Sequence, residues 1–197
     1  GAGVRSRAAR HREVTHSLFK LTFPTRQTGN GLPRCFLARS IFLTENTLLI
    51  AFHKPFDVLS QFTQELPQHR TLAEFGFPPG VYPIGRLDRD SEGLILLSDD
   101  ARWTDRLLNP RQAHPRTYHA QVEGTATEDA LQPLREGVRL KEFRTLPCKA
   151  HVLSEGEVHH PDRVPSIRFR KNIPTTWISL TLTEGKNRQV RRMTAAV

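Results

Sequence analysis

The chain is poor in cysteine, methionine and large aromatics, with two Cys, one Met, two Trp and two Tyr among 197 residues. Cys35 and Cys148 form neither a metal-ligand spacing nor a disulfide framework, which excludes zinc-finger and disulfide-stapled classes and fits a reducing compartment. Long apolar runs are also missing. A membrane-spanning helix requires about 18 apolar residues, and no stretch comes near that, so no membrane partner is expected. The basic start is not followed by the apolar segment of a secretory signal, and a cytoplasmic location is expected. Acidic residues are scarce as well: 20 Asp and Glu stand against 29 Lys and Arg, giving a net charge of +9 and a pI near 10.4. Such a balance calls for a polyanionic partner, and RNA, DNA and an anionic membrane all qualify on charge alone.

What is present is unevenly distributed. Residues 1–46 carry eight Lys or Arg against Glu13 and Glu45, which is 8 − 2 = +6 of the total charge. With Pro24, Pro33 and the Gly29-Asn30-Gly31 turn signal breaking any period, they are expected to be a mostly disordered basic arm that follows phosphates. From Thr47 the character changes to that of a folded domain, expected over 47–197. Leu48–Phe52 is an apolar strand candidate that ends at Lys54-Pro55. Thr71 and Glu74 form a capping box for a short helix ending at Gly76. Helices are expected over 101–108 and 128–136, the second with Ala130, Leu131 and Leu134 on its apolar face. Strands are expected over 116–123 and 177–183, with Ile178, Leu180 and Leu182 on one face. Between Val138 and Lys171 the signals are short and broken by prolines, so a variable insertion is expected there. His151, His159 and His160 match no ligand spacing and are expected to be solvated. Many short strands with interspersed helices argue for a mixed α/β fold with a largely antiparallel sheet.

One stretch stands out: Gly85-Arg86-Leu87-Asp88-Arg89-Asp90-Ser91-Glu92-Gly93, a charged loop between the strand candidate 80–84 and the apolar run Leu94–Leu97. Buried strands fix the ends of such a loop while its polar tip faces outward, which is how catalytic side chains are often presented; a plain solvated turn has the same composition. From spacing alone Asp88, Asp90 and Glu92 are equal candidates for a reactive carboxylate.

The segment from Gly85 to Asp100 closely resembles the signature of pseudouridine synthases of the RsuA type. A second segment, Glu184-Gly185-Lys186-Asn187-Arg188-Gln189-Val190-Arg191-Arg192-Met193, resembles that family's C-terminal motif of a strand, a Gly turn and a basic helix. Weaker matches lie at 52–58, around Lys54-Pro55, and at 118–124. The resemblance covers roughly residues 47–197 and implies the pseudouridine synthase fold: a long bent mixed sheet, largely antiparallel, with helices packed on it and a central catalytic cleft. It also implies isomerisation of a uridine in ribosomal RNA, expected to be the large-subunit 23S rRNA, by a monomer. The family continues beyond its Arg-Arg-Met with a strand that completes the active-site wall, so a chain truncated at Val197 is expected to be less active.

By the same resemblance Asp88 is the catalytic aspartate, Tyr118 stacks on the target uracil, and Arg191 pairs with Asp88. Asp90 is then expected to be dispensable. Lys54, Arg86, Lys186, Arg188, Gln189 and Arg192 are the expected RNA contacts, with Asn187 capping the basic helix and Arg188, Arg191 and Arg192 sharing one of its faces. A carboxylate suits the chemistry because it can add covalently to the nucleotide or stabilise a cationic sugar, and it needs no cofactor. An isolated carboxylate in a cleft tends to lose its charge, hence the expected cation beside it. The base must leave its stack to be reached. A catalytically silent RNA-binding protein would explain the charge equally well, and joint retention of Asp88, Tyr118 and Arg191 argues against it.

Overall fold

The computed structural model describes residues 39–44, 47–160 and 174–197. Most of the basic arm and part of the proline-broken insertion lie outside these residues. Strand β1 (Arg39–Thr44) pairs antiparallel with β2 (Thr47–Lys54), so the folded domain begins earlier than the expected boundary at Thr47. The alternation that marks a strand was hidden there because Ser40–Thr44 follows directly on a charge-rich, proline-broken stretch.

Beyond this hairpin, β2 pairs with β6 (Gly93–Ser98), and β6 with β5 (Tyr82–Ile84), giving one antiparallel sheet in the order β1-β2-β6-β5. A short parallel pair, β3 (Val58–Leu59) with β4 (Arg70–Thr71), leads into a 3-10 turn over Leu72–Phe75. The capping box expected at that turn is present: Thr71 and Glu74 satisfy each other's backbone, and Gly76 ends the turn at φ 64°. A second antiparallel sheet runs β7-β9-β8, from β7 (Arg116–Glu123), β8 (Lys149–Val152) and β9 (Thr175–Leu182). The expected mixed, largely antiparallel sheet therefore holds, with β3–β4 as its parallel part; among the described residues the hydrogen-bonded ladders fall into these three groups. Edge strand β5 is three residues long with Pro83 at its centre, a residue with no N–H to extend a ladder.

Each sheet buries one face. Alternation along β2 and β6 puts Ile50, Phe52, Ile95 and Leu97 in one core, where Phe52 meets Phe75 and Phe77 with ring centroids 4.9 and 5.0 Å apart. Leu87, the residue before Asp88, packs against this same core. The second core joins Ile178, Leu180 and Leu182 of β9 to Leu131 and Leu134 and to Met193. Leu134 lies in α2 (Gln132–Glu136) and Met193 in α3 (Gln189–Thr194). Ala130 is exposed, because the 3-10 winding over Asp129–Leu131 turns it off the apolar face expected for a regular helix. α1 (Arg102–Leu108) follows β6 and packs on β5. The charged loop thus projects from the first core, and α3 rides on the second.

Candidate active site

Loop 85–92 is held by its backbone. Gly85, at φ 83°, leaves β5 in the left-handed region, and a Cβ there would lie 3.3 Å from the Leu108 side chain of α1. Buried Ser60 locks the next step: its Oγ donates to the Leu87 carbonyl at 2.9 Å and accepts from the Leu87 N–H at 3.0 Å. A turn follows, with Ser91 N–H donating to the Asp88 carbonyl at 3.0 Å. Asp88 therefore sits between an anchored leucine and a closed turn.

Lys54, expected to contact RNA, does something else. It is 0% exposed, and its Nζ donates to the carbonyls of Val58 at 2.7 Å, Pro55 at 2.9 Å and Arg89 at 3.4 Å. Burial pushes its pKa down to about 8, against the opposing pull of Glu92, Asp90, Asp57 and Asp88. The RNA-contact expectation is corrected: this lysine ties β2 to the loop from inside. Asp57 assists, since its N–H donates to the Arg89 carbonyl at 2.8 Å and its carboxylate accepts from Arg89 Nε at 2.6 Å. Asp57 adopts φ 64°, a conformation that Asp tolerates better than most residues.

The basic helix meets the loop in an unexpected way. Arg188, rather than Asn187, is the residue that opens α3, at φ 49° and without a side-chain cap. Its guanidinium grips Asp90 with two bonds, Nη1 to Oδ1 at 3.2 Å and Nη2 to Oδ2 at 2.9 Å. Arg191 Nη2 approaches the same Oδ2 at 3.2 Å and donates to the Asp90 carbonyl at 3.0 Å. The Asp88–Arg191 pair is thus corrected: Arg191 is held by Asp90, and the cation beside Asp88 is Arg188, whose Nη1 lies 4.0 Å from Asp88 Oδ2. Hydrogen bonds from Arg188, aided by the charge of Arg191, hold the Asp90 carboxyl below the usual range.

Nor do Arg188, Arg191 and Arg192 share a face. Arg192 turns the other way, pairs with Glu142 and lies over the Phe143 ring at 5.1 Å, while Lys186 covers the same ring at 5.0 Å. Gln189 is buried and not available to RNA: its Nε2 donates to Glu184 at 2.7 Å, and its Oε1 accepts from the Lys186 N–H at 2.9 Å. It closes the Gly turn from within. A Cβ on Gly185 in that turn would lie 3.3 Å from Arg116 Nη1, a close approach that a glycine allows. Arg86 and Lys186 are exposed, as an RNA contact requires.

Tyr118, on the inward face of β7, completes the arrangement. It is half-buried against the second core, and burial pushes its phenol pKa up, with the Asp88 charge adding to the rise and Arg116 opposing it. The structure thus brings Asp88, Asp90, Arg188 and Arg191 together, with Tyr118 near enough for the Asp88 charge to act on its phenol. The histidines of the insertion stand apart. His160 meets His119 Nδ1 at 2.8 Å, and among the described residues no group of three or more His, Cys, Asp or Glu could hold a metal ion. Ser60 and Asp57 were missed by sequence reasoning because their bonds to the loop span 27 and 32 residues. Only the Pro55-Phe56-Asp57 turn signal hinted at the latter.

A family model described as RNA pseudouridylate synthase matches residues 48–196. The chain belongs to that family. The sequence motifs at 85–100 and 184–193, read as those of a pseudouridine synthase, are borne out by this match. Among curated relatives of this chain, ribosomal large subunit pseudouridine synthase E of Xanthomonas axonopodis pv. citri is 50% identical over 151 residues, covering 76% of this chain and 79% of that one. The protein of the same name from Vibrio vulnificus is 47% identical over 159 residues, covering 81% of this chain and 66% of that one. Ribosomal large subunit pseudouridine synthase B of Bacillus subtilis is 36% identical and is spanned over 57% of its length. A crystal structure of a pseudouridylate synthase superposes with a TM-score of 0.61 at 25% identity, covering 78% of this chain and 59% of that chain. The pseudouridine synthase fold is thereby shown, and the charged loop and the second sheet lie inside the residues that the family model matches, 48–196. No helix among the described residues is long and apolar enough to cross a membrane.

Proposed function

We propose that this chain converts a uridine of large-subunit ribosomal RNA to pseudouridine, with Asp88 as the nucleophile. The relatives' names supply the substrate class, and the difference between the two loop aspartates supplies the residue. Both carboxylate oxygens of Asp90 are engaged by guanidinium N–H groups. Asp88 Oδ2 has Arg188 Nη1 at 4.0 Å, too far for a hydrogen bond that would tie up a lone pair. A nucleophile must keep such a lone pair available.

In the reaction the N1–C1′ bond breaks, the uracil turns, and C5 bonds to C1′. The proton on C5 is released and N1 takes one up, so nothing is consumed. Whether the Asp88 carboxylate adds at C1′ or at C6, the same bonds are exchanged and no cofactor enters. Tyr118 supplies an aromatic face for the extruded base, and its raised pKa keeps the phenol protonated at neutral pH. Exposed Arg86 and Lys186 contact phosphates. The chain acts as a monomer in the cytoplasm.

Tritium release from 5-tritiated uridine in large-subunit rRNA tests the reading. The wild-type chain should release tritium, and Asp88→Asn should fall to background while binding RNA as tightly as wild type, since affinity comes mainly from Lys and Arg on phosphates. RNA binding without release by the wild type would instead support a silent RNA-binding protein.

A further inference from the structure

Asp90 is the residue that the chemistry leaves without a role. It is also the most heavily bonded carboxylate of the loop, and its partners lie 98 and 101 residues away in sequence. Three N–H directions from two arginines converge on it, two of them in the fork geometry of a bidentate guanidinium–carboxylate pair. Such a bond fixes orientation as well as distance.

We propose that Asp90 is a positioning residue for the pseudouridine reaction, which holds the Arg188 guanidinium beside Asp88. The inference rests on the functional reading above. Arg188 needs holding. It stands at the N-cap of a helix only six residues long, its backbone is left-handed at φ 49°, and its side chain is 45% exposed. An exposed arginine side chain in that setting has many rotamers open to it. The fork on Asp90 removes that freedom and sets Nη1 at 4.0 Å from Asp88 Oδ2. Arg191, bonded to both the side chain and the backbone of Asp90, keeps that carboxylate from turning away. The contact also closes the seam between the two sheets, because Asp90 belongs to the β5–β6 loop and Arg188 to the helix after β9. Stability is not its main contribution. Ion pairs this exposed add little to stability, so the effect of Asp90 belongs in the rate.

The test is a double-mutant cycle on single-turnover tritium release from large-subunit rRNA, with Asp90→Asn, Arg188→Ala, the double variant and Asp90→Glu. Asp90→Asn is expected to lower the rate constant by about 10- to 100-fold, the cost of misplacing a group by roughly 1 Å. Half-saturation by RNA should change less than about threefold, and the melting temperature by no more than about 3 °C. In the Arg188→Ala background the same substitution should cost less than about threefold, because the group it positions is gone. Asp90→Glu, which keeps the charge and the fork, should recover part of the rate. Equal fold-losses from Asp90→Asn in both backgrounds would overturn the proposal, as would a wild-type rate in Asp90→Asn. So would a loss that follows melting temperature and that Asp90→Glu fails to relieve. A wild-type chain that releases no tritium would overturn the functional reading first, and this inference with it.

Discussion

At the scale of single residues, Lys54 shows how an expectation drawn from charge fails. A lysine beside a proline near a motif reads as a phosphate contact, because exposure is the default for an ammonium group. The bonds that bury it come from Val58 and Arg89, and the second is 35 residues away. Its burial carries a consequence for pH. The folded pKa near 8 lies below the ordinary value of 10.5, so between those two pH values the unfolded chain holds a proton that the folded chain has released. Stability attributable to Lys54 must therefore rise as pH goes up through this window, and it is lowest below pH 8. Urea unfolding of wild type and Lys54→Met at pH 7.5 and 10.5 isolates the effect. The wild type should gain relative to the variant by on the order of 3 kcal/mol at most. Parallel pH dependences would show that the buried amine titrates normally. The place of Asp88 in the charged loop was legible from its motif, while the Ser60 anchor behind it and the approach of Arg188, expected only as an RNA contact, were not, because tertiary folding brings each of them to the loop.

At the scale of elements, strands were the most legible part of the chain. The alternation gave β7 its full extent and β9 to within two residues, together with the buried face of β9, since a period of two has one solution once a face is apolar. Short helices were harder. The turn over 129–136 begins as a 3-10 helix, and the cap of α3 falls one residue later than expected, because elements of one or two turns take their form from packing. Gly137 shows that constraint. It ends α2 at φ 92°, and a Cβ there would come within 2.4 Å of the Thr145 carbonyl oxygen. That carbonyl belongs to a residue whose N–H donates to the Val138 carbonyl and whose hydroxyl accepts from the Val138 N–H, so it cannot easily retreat. Gly124 has a similar φ, 93°, with open space where a Cβ would go. Gly124→Ala should cost about 1–2 kcal/mol for the backbone alone. Gly137→Ala should cost at least about 2 kcal/mol more, from the clash. Denaturant midpoints measure both, and equal losses would mean that the 138–145 hairpin yields freely.

At the scale of the whole molecule, two properties run along the chain and separate at one place. Composition made the electrostatic half legible, since a +9 chain with its positive charge concentrated in residues 1–46 suits a polyanion. The folded half was misplaced by eight residues, because β1 follows a basic stretch and its partner ladder on β2 is visible only in three dimensions. The charge arithmetic turns this into an experiment. Residues 1–38 hold seven Lys or Arg and one Glu, 7 − 1 = +6, while residues 39–46 hold Arg39 and Glu45, which cancel. Deleting residues 1–38 and deleting residues 1–46 therefore remove the same +6. Both should flatten the salt dependence of RNA binding to the same degree, because the slope counts phosphates neutralised rather than sequence read. Only the longer deletion strips β1 from β2, exposing the ladder side of a strand that carries Ile50 and Phe52 into the core. It should melt several degrees below the shorter one, as the loss of even about 1 kcal/mol shifts a domain of this size by roughly 2–4 °C. Salt slopes that differ between the two deletions would place RNA contacts within β1 itself. Equal melting temperatures would show that the β1–β2 ladder adds nothing to the stability of the first sheet.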